Sequence, residues 1–335
     1  MKRKLFFTLV FALVILIVSP LITAYSGPNP EKQIVWRYNG TMPIGHSVNK
    51  ASAKWAQLVN ERSGGRVKVQ FYPAAQLYAA KDLSTAIPGR AVDMSECTPD
   101  TLAGIVPSTG LLQIPFIFES VQKLKATLEQ GWDVMDNELK EHNMKLIFFI
   151  DGGGFSGPLT RNKAVRTVED WKGLKIRAPG AIASRIVKSF GASSVSMSGG
   201  EVYTALQRGT VDGAVGGYAS MEQRKWYEVC KYFPEYIICY SWFPQVANLN
   251  AWNELPKDIQ KIMLDAGKEV AEGQTALATK EIENTKTKLR AAGLEGISLS
   301  SDELARWREI SKGMWNDWAK QSPACAKLLE IAKPK

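Results

Sequence analysis

Residues 205–214 read ALQRGTVDGA, and residues 86–95 read AIPGRAVDMS. Both run from a helix end through a glycine and one or two residues to Val-Asp, then into a strand. The match is short, but it falls at equivalent points of two α/β passes and predicts two lobes of similar build. Around the earlier copy, 34–38 (IVWRY) reads as a strand. Residues 48–62 read as an amphipathic helix with Val48, Ala51, Trp55, Leu58 and Val59 on one face. VKVQFY is a strand ended by Pro73, 80–87 suits a helix closed by Pro88-Gly89, and AVDMSEC is a strand. Around the later copy, LKIRA alternates as a strand, 181–190 is a helix ended by Gly191, and GEVYTALQRG is a helix ended by Gly209. Two βαβα runs predict layered α/β lobes.

Between the two passes, KLIFFI (145–150) has the look of a buried strand, and DGGGFSG (151–157) follows it. Gly152, Gly154 and Gly157 fit G-x-G-x-x-G, but a dinucleotide site needs a helix directly after the glycines to hold the pyrophosphate. Pro158 and a stretch without helical periodicity come instead, which sets the nucleotide reading aside. The glycines then form a turn leaving the strand, or they line a cavity and leave room in it.

The chain has 335 residues, 45% hydrophobic and 22% charged, enough for about two domains. Lys2, Arg3 and Lys4 precede an almost wholly apolar run from Leu5 to Val18, and Ala24-Tyr25-Ser26 gives a small-x-small site, the layout of a secretory signal peptide. The run is short for a membrane span, and uncleaved anchoring is the alternative. Without 1–26 the net charge falls from +9 to +6. No basic stripe with interleaved aromatics stands out, so no nucleic-acid partner is expected. Cys97, Cys230, Cys239 and Cys325 form no C-x-x-C, and with only His46 and His142 a zinc site is not expected. Cys230 and Cys239 are either a disulfide pair or buried thiols. No cofactor is expected.

YIICYSW (236–242) and VANLNAW (246–252) read as the chain leaving the second lobe. From Pro256 to about Ala292 runs a helix without proline, over 50 Å at about 1.5 Å per residue, long enough to bridge both lobes. Ser300 to Glu303 makes a capping box for a last helix carrying Trp307, Trp315 and Trp318.

DWKGLKIRAPG (170–180), GGEVYTALQRGTVDGA (199–214), KWYEVCKYF (225–233), WNELPKDIQ (252–260) and GGRVKVQFYPAAQL (64–77) together resemble the DctP-type solute-binding proteins of TRAP (tripartite ATP-independent periplasmic) transporters. The resemblance covers nearly all of the chain after the leader. It implies an α/β, two-lobed periplasmic-binding-protein fold, type II-like, with hinge strands and a long helix spanning both lobes. The expected organisation is a signal peptide over 1–26, lobe 1 over 27–154 and lobe 2 over 155–241. Residues 242–281 then return to lobe 1 and start the long helix, and 282–335 pack as C-terminal helices on lobe 2. The resemblance also implies a periplasmic protein that binds an organic acid and delivers it to the small and large membrane permease subunits without catalysis. Membrane contact would come only through the permease or an uncleaved leader.

By the same resemblance Arg177 clamps the ligand carboxylate, a role suited to the planar guanidinium fork. Sialic-acid-binding members carry a second arginine where this chain has Gly157, and asparagines or a bulky ring where it has Gly180, Gly199 and Gly216. These glycines are expected to empty part of the cleft wall and argue against sialic acid. Phe155, Tyr218, Trp242 and Phe243 lie near the matching segments and suit a carboxylate with a bulky apolar or aromatic group. Asn39, Thr98 and Glu96 match cleft-facing positions of the first lobe, and Gln245 could bond a ligand from a hinge strand. Two rivals differ in class. One is a ligand-presenting protein for a membrane sensor. The other is an exported enzyme, against which stand the lack of G-x-S-x-G and of any nucleophile beside His46 or His142. His46 follows Pro43-Ile44-Gly45 and reads as a helix cap.

Overall fold

The computed structural model describes residues 33–333, so the expected leader and its cleavage or anchoring lie outside the described residues. No described helix is long and apolar enough to cross a membrane. The first pass forms β1 (Ile34–Asn39), α1 (Ser47–Arg62), β2 (Val67–Tyr72), α2 (Leu83–Ala86) and β3 (Met94–Glu96). His46 caps α1, as its sequence context suggests, with Nδ1 accepting the Val48 N–H at 3.2 Å. The helix expected over 80–87 is a 3₁₀ turn followed by the four residues of α2. Short helices α3 (Pro99–Leu102), α4 (Val121–Gln130) and α5 (Trp132–Glu141) lead to the 17-residue strand β4 (Met144–Thr160).

The second pass forms β5 (Lys175–Ala178), α6 (Ala181–Ser189), β6 (Ser193–Ser196), α7 (Val202–Arg208) and β7 (Gly213–Gly217). α7 stops at Gly209, whose φ of +75° is the left-handed cap that glycine adopts without strain. After α8 (Tyr218–Gln223) and β8 (Tyr232–Pro234), the chain runs through β9 (Ile237–Asn248), α9 (Leu249–Asn253), α10 (Lys257–Ala291) and β10 (Glu295–Ile297). It ends with α11 (Ser301–Ala319) and α12 (Pro323–Ala332).

One ten-stranded sheet carries both passes in the order β2-β1-β3-β9-β4-β7-β5-β6, with β8 pairing β4 and β10. β1 and β3 are parallel in the first lobe, and β6, β5 and β7 are parallel in the second. Between them β9 and β4 pair antiparallel from Met144↔Asn248 to Ser156↔Ile237, so these two strands belong to both lobes. This is the two-lobed architecture with crossing strands. It corrects one reading: DGGGFSG is not a turn but the middle of β4. The register shifts between Asp151 and Gly154, where Gly153 sits at φ +87°. Pro244, which lacks an N–H, is tolerated inside β9 beside another register shift, between Leu146 and Phe148.

The 35-residue α10 spans both lobes. At one end the Trp55 indole donates to Met263 O at 3.0 Å, and in the middle Gln274 Nε2 donates to Asp151 O at 3.1 Å. At the far end Thr285 bonds Glu222 at 2.8 Å and Arg290 pairs with Glu235 at 2.7 Å. The helix lies close on the sheet at Gly267, where a Cβ would meet the Phe148 side chain at 2.9 Å. The C-terminal helices differ from expectation, because they do not both rest on the second lobe. Trp307 of α11 packs among second-lobe rings (Trp171, Phe190), but Trp315 and Trp318 reach the first-lobe core and donate to Pro115 O and Pro107 O, each at 2.8 Å. Leu328 and Leu329 of α12 belong to that same first-lobe core. All four cysteines are buried free thiols, so Cys230 and Cys239 are not bridged.

Glu96, at the end of β3 opposite Gln245, is wholly buried. It accepts Thr41 Oγ1 at 2.8 Å and Thr41 N at 3.3 Å. Burial pushes its carboxyl from an ordinary 4.5 up to about 7, and these bonds oppose the shift only in part. Asp151 in β4 is driven by burial in the same direction, to about 7.

Two outcomes are expected from this packing. Gly267→Leu should lower stability by about 1–3 kcal/mol through overpacking on Phe148. Gly273→Ala in the same helix, where nothing lies within 4 Å, should add roughly 0.5–1 kcal/mol; urea midpoints check both. Between pH 4.5 and about 7 the folded chain keeps a proton on Glu96 that the unfolded chain has released, so stability falls as pH rises through that window. Glu96→Gln should flatten this fall, leaving the part due to Asp151, in urea midpoints taken at intervals from pH 4.5 to 8.

Candidate functional site

A cavity of about 470 Å³ opens between the lobes. Thr41, His46, Thr98 and Asp100 face it from the first lobe. Gly152, Phe155 and Phe243 face it from the crossing strands, and Arg177, Arg224 and Trp226 from the second lobe. The strand–turn–helix order of each pass brings loop ends and strand ends to this one cleft.

Arg177 sits third in β5, and only 5% of it is exposed. Nε and Nη2 donate to Met197 O at 3.1 and 3.0 Å, and Nη1 donates to Val215 O at 3.3 Å. Its guanidinium carbon lies 5.5 Å from the Trp226 ring centroid. A guanidinium has five N–H groups, so one remains on each terminal nitrogen. Among the described residues no carboxylate forms an ion pair with it. Burial first, and the charge of Arg224 second, push its pKa down to about 10, with Glu201 opposing; it stays cationic at neutral pH. Burying a charge without a hydrogen-bonded counterion is costly, and here two carbonyls, one ring and the charge of the exposed Glu201 offset that cost.

The rest of the wall is mostly neutral. Burial and the charges of Arg224 and Lys50 hold His46 down near 4. Since Nδ1 accepts from Val48, its proton is on Nε2. Asp100 is the single acid among the described lining side chains, and burial raises its pKa. One of its oxygens accepts Ile182 N at 3.1 Å from the start of α6. The amide of Gln113 fits with its nitrogen turned to Asp100, 3.2 and 3.0 Å from the two carboxylate oxygens. Among the described residues no group of three or more His, Cys, Asp or Glu is placed to hold a metal ion.

Of the residues singled out by sequence, the cavity gathers Arg177, Thr98, Phe155 and Gly216, with Gly199 and Phe243. The others lie elsewhere. Asn39 is buried in the sheet and bonds Tyr78 and Ser95. Glu96 stands behind Thr41, which takes the cavity-facing place. Gln245 accepts the Tyr38 hydroxyl and donates to Phe243 O at 3.0 Å. Tyr218 is core, its hydroxyl donating to Pro234 O at 2.8 Å. Trp242 lines a separate apolar groove beside α10, with Phe149 and Leu264.

The glycines do not empty the wall; they admit other side chains. A Cβ at Gly157 would meet the Tyr236 hydroxyl at 2.5 Å, and one at Gly180 would meet Asp100 at 2.5 Å. At Gly152 it would meet Phe243 at 2.3 Å, at Gly199 Arg224 at 2.8 Å, and at Gly216 Trp226 at 3.1 Å. The residues missing from the sequence reading include Thr41 and, each seated on a glycine, Arg224, Trp226 and Asp100. The only sequence signal of the last three is that pairing of a large side chain with a distant glycine, which spacing along the chain does not reveal.

The family profile described as DctP, bacterial extracellular solute-binding protein family 7, matches residues 38–321. A solute-binding protein of Albidiferax ferrireducens is 27% identical, with 88% of each chain covered. The 2,3-diketo-L-gulonate-binding periplasmic protein YiaO of Escherichia coli is 28% identical over 85% of this chain and 87% of its own. In fold, the chain is similar to DctP7 of Bordetella pertussis, an extracytoplasmic solute receptor binding pyroglutamic acid. The TM-score is 0.83 at 19% identity, covering 89% of this chain and 99% of that one. With the profile spanning both lobes and the cleft between them, the chain belongs to the DctP family of bacterial extracellular solute-binding proteins, family 7.

Proposed function

We propose that the protein is a periplasmic receptor that binds an organic acid in the cleft and hands it to the membrane subunits of a TRAP permease. One observation carries this reading: Arg177 is a buried cation with two spare N–H groups and, among the described residues, no ion-paired carboxylate, facing a cavity between two lobes. A carboxylate there would receive charge-assisted bonds and supply the missing anion. The relatives that bind sugar acids and cyclic amino acids support an acid of this kind. Phe155, Phe243 and Trp226 line the remaining wall and suit a solute with a bulky or ring-bearing body.

The lobes would close on the acid as a hinge about β4 and β9. Arg177 grips from the second lobe, while Thr41, Thr98 and His46 Nε2–H complete the cage from the first. Contacts available only in the closed form set the closing equilibrium. Turnover is not part of this reading, because His46 spends its Nδ1 on capping α1 and so lacks the free lone pair of a general base.

Isothermal titration of the purified protein with sugar acids, cyclic amino acids and aromatic acids is the test. Arg177→Ala should weaken binding by about 2–5 kcal/mol, roughly 30-fold or more, because the ligand carboxylate is left unpaired. Unchanged affinity in a folded Arg177→Ala protein would sink the clamp.

A further inference from the structure

The apolar groove beside α10 is a second cavity, also of about 470 Å³, and it differs from the cleft in both lining and charge. Ser241 and Phe243 of β9 line the cleft, and Trp242 between them lines the groove, since consecutive strand residues point to opposite faces. The groove floor is aromatic. Trp132 meets Phe149 edge-on with ring centroids 5.7 Å apart, and Phe149 lies tilted against Trp242 at 6.4 Å. Leu264 and Ala271, two turns apart on α10, form the opposite wall, and Leu264 is 38% exposed. A concave, ring-lined space with few polar groups is the usual make-up of a small-molecule site.

The rim carries two cations and two acids. Lys125 and Glu129 stand one turn apart on α4, and Lys268 and Glu272 one turn apart on α10. None of these four side chains forms a hydrogen bond or ion pair among the described residues. An acid entering the groove would gain from each lysine much of what it loses to the glutamate beside it, and it would also lose its hydration. The same holds for a cation. The balance selects an uncharged body, in contrast to the cleft, where Arg177 has no ion-paired carboxylate among the described residues. Inside the groove the Thr275 hydroxyl is spent on Ala271 O at 3.2 Å, while the Trp132 indole N–H has no acceptor among the described residues.

We propose that this groove is a second binding site, for a neutral, ring-bearing hydrophobe with one hydrogen-bond acceptor. Its rings lie against Phe149 and Trp242, and its acceptor takes the Trp132 N–H. Because Phe149 and Trp242 belong to the crossing strands, the occupant rests on the back of the hinge ribbon, on the face turned away from the cleft.

2-Naphthol and 2-naphthoate, one ring system without and with a charge, are the probes, titrated by calorimetry. In Arg177→Gln, whose cleft lacks its clamp, 2-naphthol should bind at one site roughly tenfold or more tighter than 2-naphthoate. Ala271→Trp, which fills the groove with a ring, should weaken 2-naphthol by about tenfold or more, and Leu264→Glu, at an exposed position that leaves the core intact, by about threefold or more. In hydrogen exchange 2-naphthol should protect residues 125–132 and 264–275. Binding that survives both groove variants, or protection of 196–199 and 224–226 instead, would place the probe in the cleft and overturn the proposal. A chain that sediments as a dimer, dissolved by Leu264→Glu, would assign the groove to a second copy and overturn it too. Absence of 2-naphthol binding would overturn it while leaving the receptor reading, which is tested with acids and Arg177→Ala, untouched.

Discussion

The antiparallel ladder between β4 and β9 is the constraint on which the molecule is built. Each is a central strand whose buried backbone groups need partners along its whole length. Because they pair with each other from Met144↔Asn248 to Ser156↔Ile237, neither lobe is made from a continuous piece of chain. β3 adds to one side of the ladder and β7 to the other, and so the first and second lobes hang from opposite edges of one two-stranded ribbon. The register shifts along it, at Leu146/Phe148, Asp151/Gly154 and Phe155/Ser156, concentrate twist where the lobes meet. The ribbon also fixes what the glycines are for. With strand neighbours on both sides, a large residue such as Phe243 or Ile237 is accommodated because a nearby position of β4, Gly152 or Gly154, lacks a side chain.

The same economy of space shapes the electrostatics. A buried arginine is normally matched to an acid, and on the outer surfaces of this protein arginines are so matched, as Arg290 with Glu235 and Arg306 with Glu169. In the cleft the fold supplies carbonyls and a tryptophan face instead. That arrangement orients the guanidinium without neutralising it. On the receptor reading, pre-orientation matters because a receptor that had to order its clamp on binding would lose affinity to that ordering. The acids near the cleft are handled in the opposite way. Glu96 is kept behind Thr41 and driven toward its neutral form by burial, so it does not compete for the arginines.

Much of the architecture was legible because its signals are local. Hydrophobic alternation and glycine stops placed both βαβα passes, and a proline-free run between Pro256 and Gly293 marked the long helix. Of the cavity lining, Arg177, Thr98, Phe155, Phe243, Gly199 and Gly216 were named from the sequence. Asn39, Glu96 and Gln245 misled because polar residues on strands can serve the sheet as well as the cleft. Here Asn39 ties β1 to Ser95 of β3, and Gln245 ties β9 to Tyr38 of β1. Pattern gives the face of a strand, but not whether a neighbour such as Thr41 stands between that face and solvent. Helix α11 was misplaced for a related reason: Trp307, Trp315 and Trp318 share it yet face cores of different lobes, a division set by tertiary contacts alone.

That division bears on how the lobes can move. Besides the ribbon, the connections that cross between them include α10, α11 and the bonds from Ile182 N to Asp100 and from Gln223 Nε2 to Gly45 O. The helices are long and packed at both ends, so they allow bending but resist sliding. The Asp100 bond is different in kind. A carboxylate at the N-terminus of α6 complements the helix dipole, and its formation needs the rim of the first lobe to touch the second. Gly180 makes this approach feasible, since any side chain there would collide with the carboxylate. On the receptor reading, closure would thus draw on two sets of contacts that form together. One is the solute against the arginines; the other is Asp100 against α6, which does not touch the solute's acidic groups. A contact of the second kind lowers the work the solute must do to close the cleft. It is favourable for every solute alike, and it therefore leaves discrimination among acids to the walls that Arg177, Arg224 and Trp226 supply.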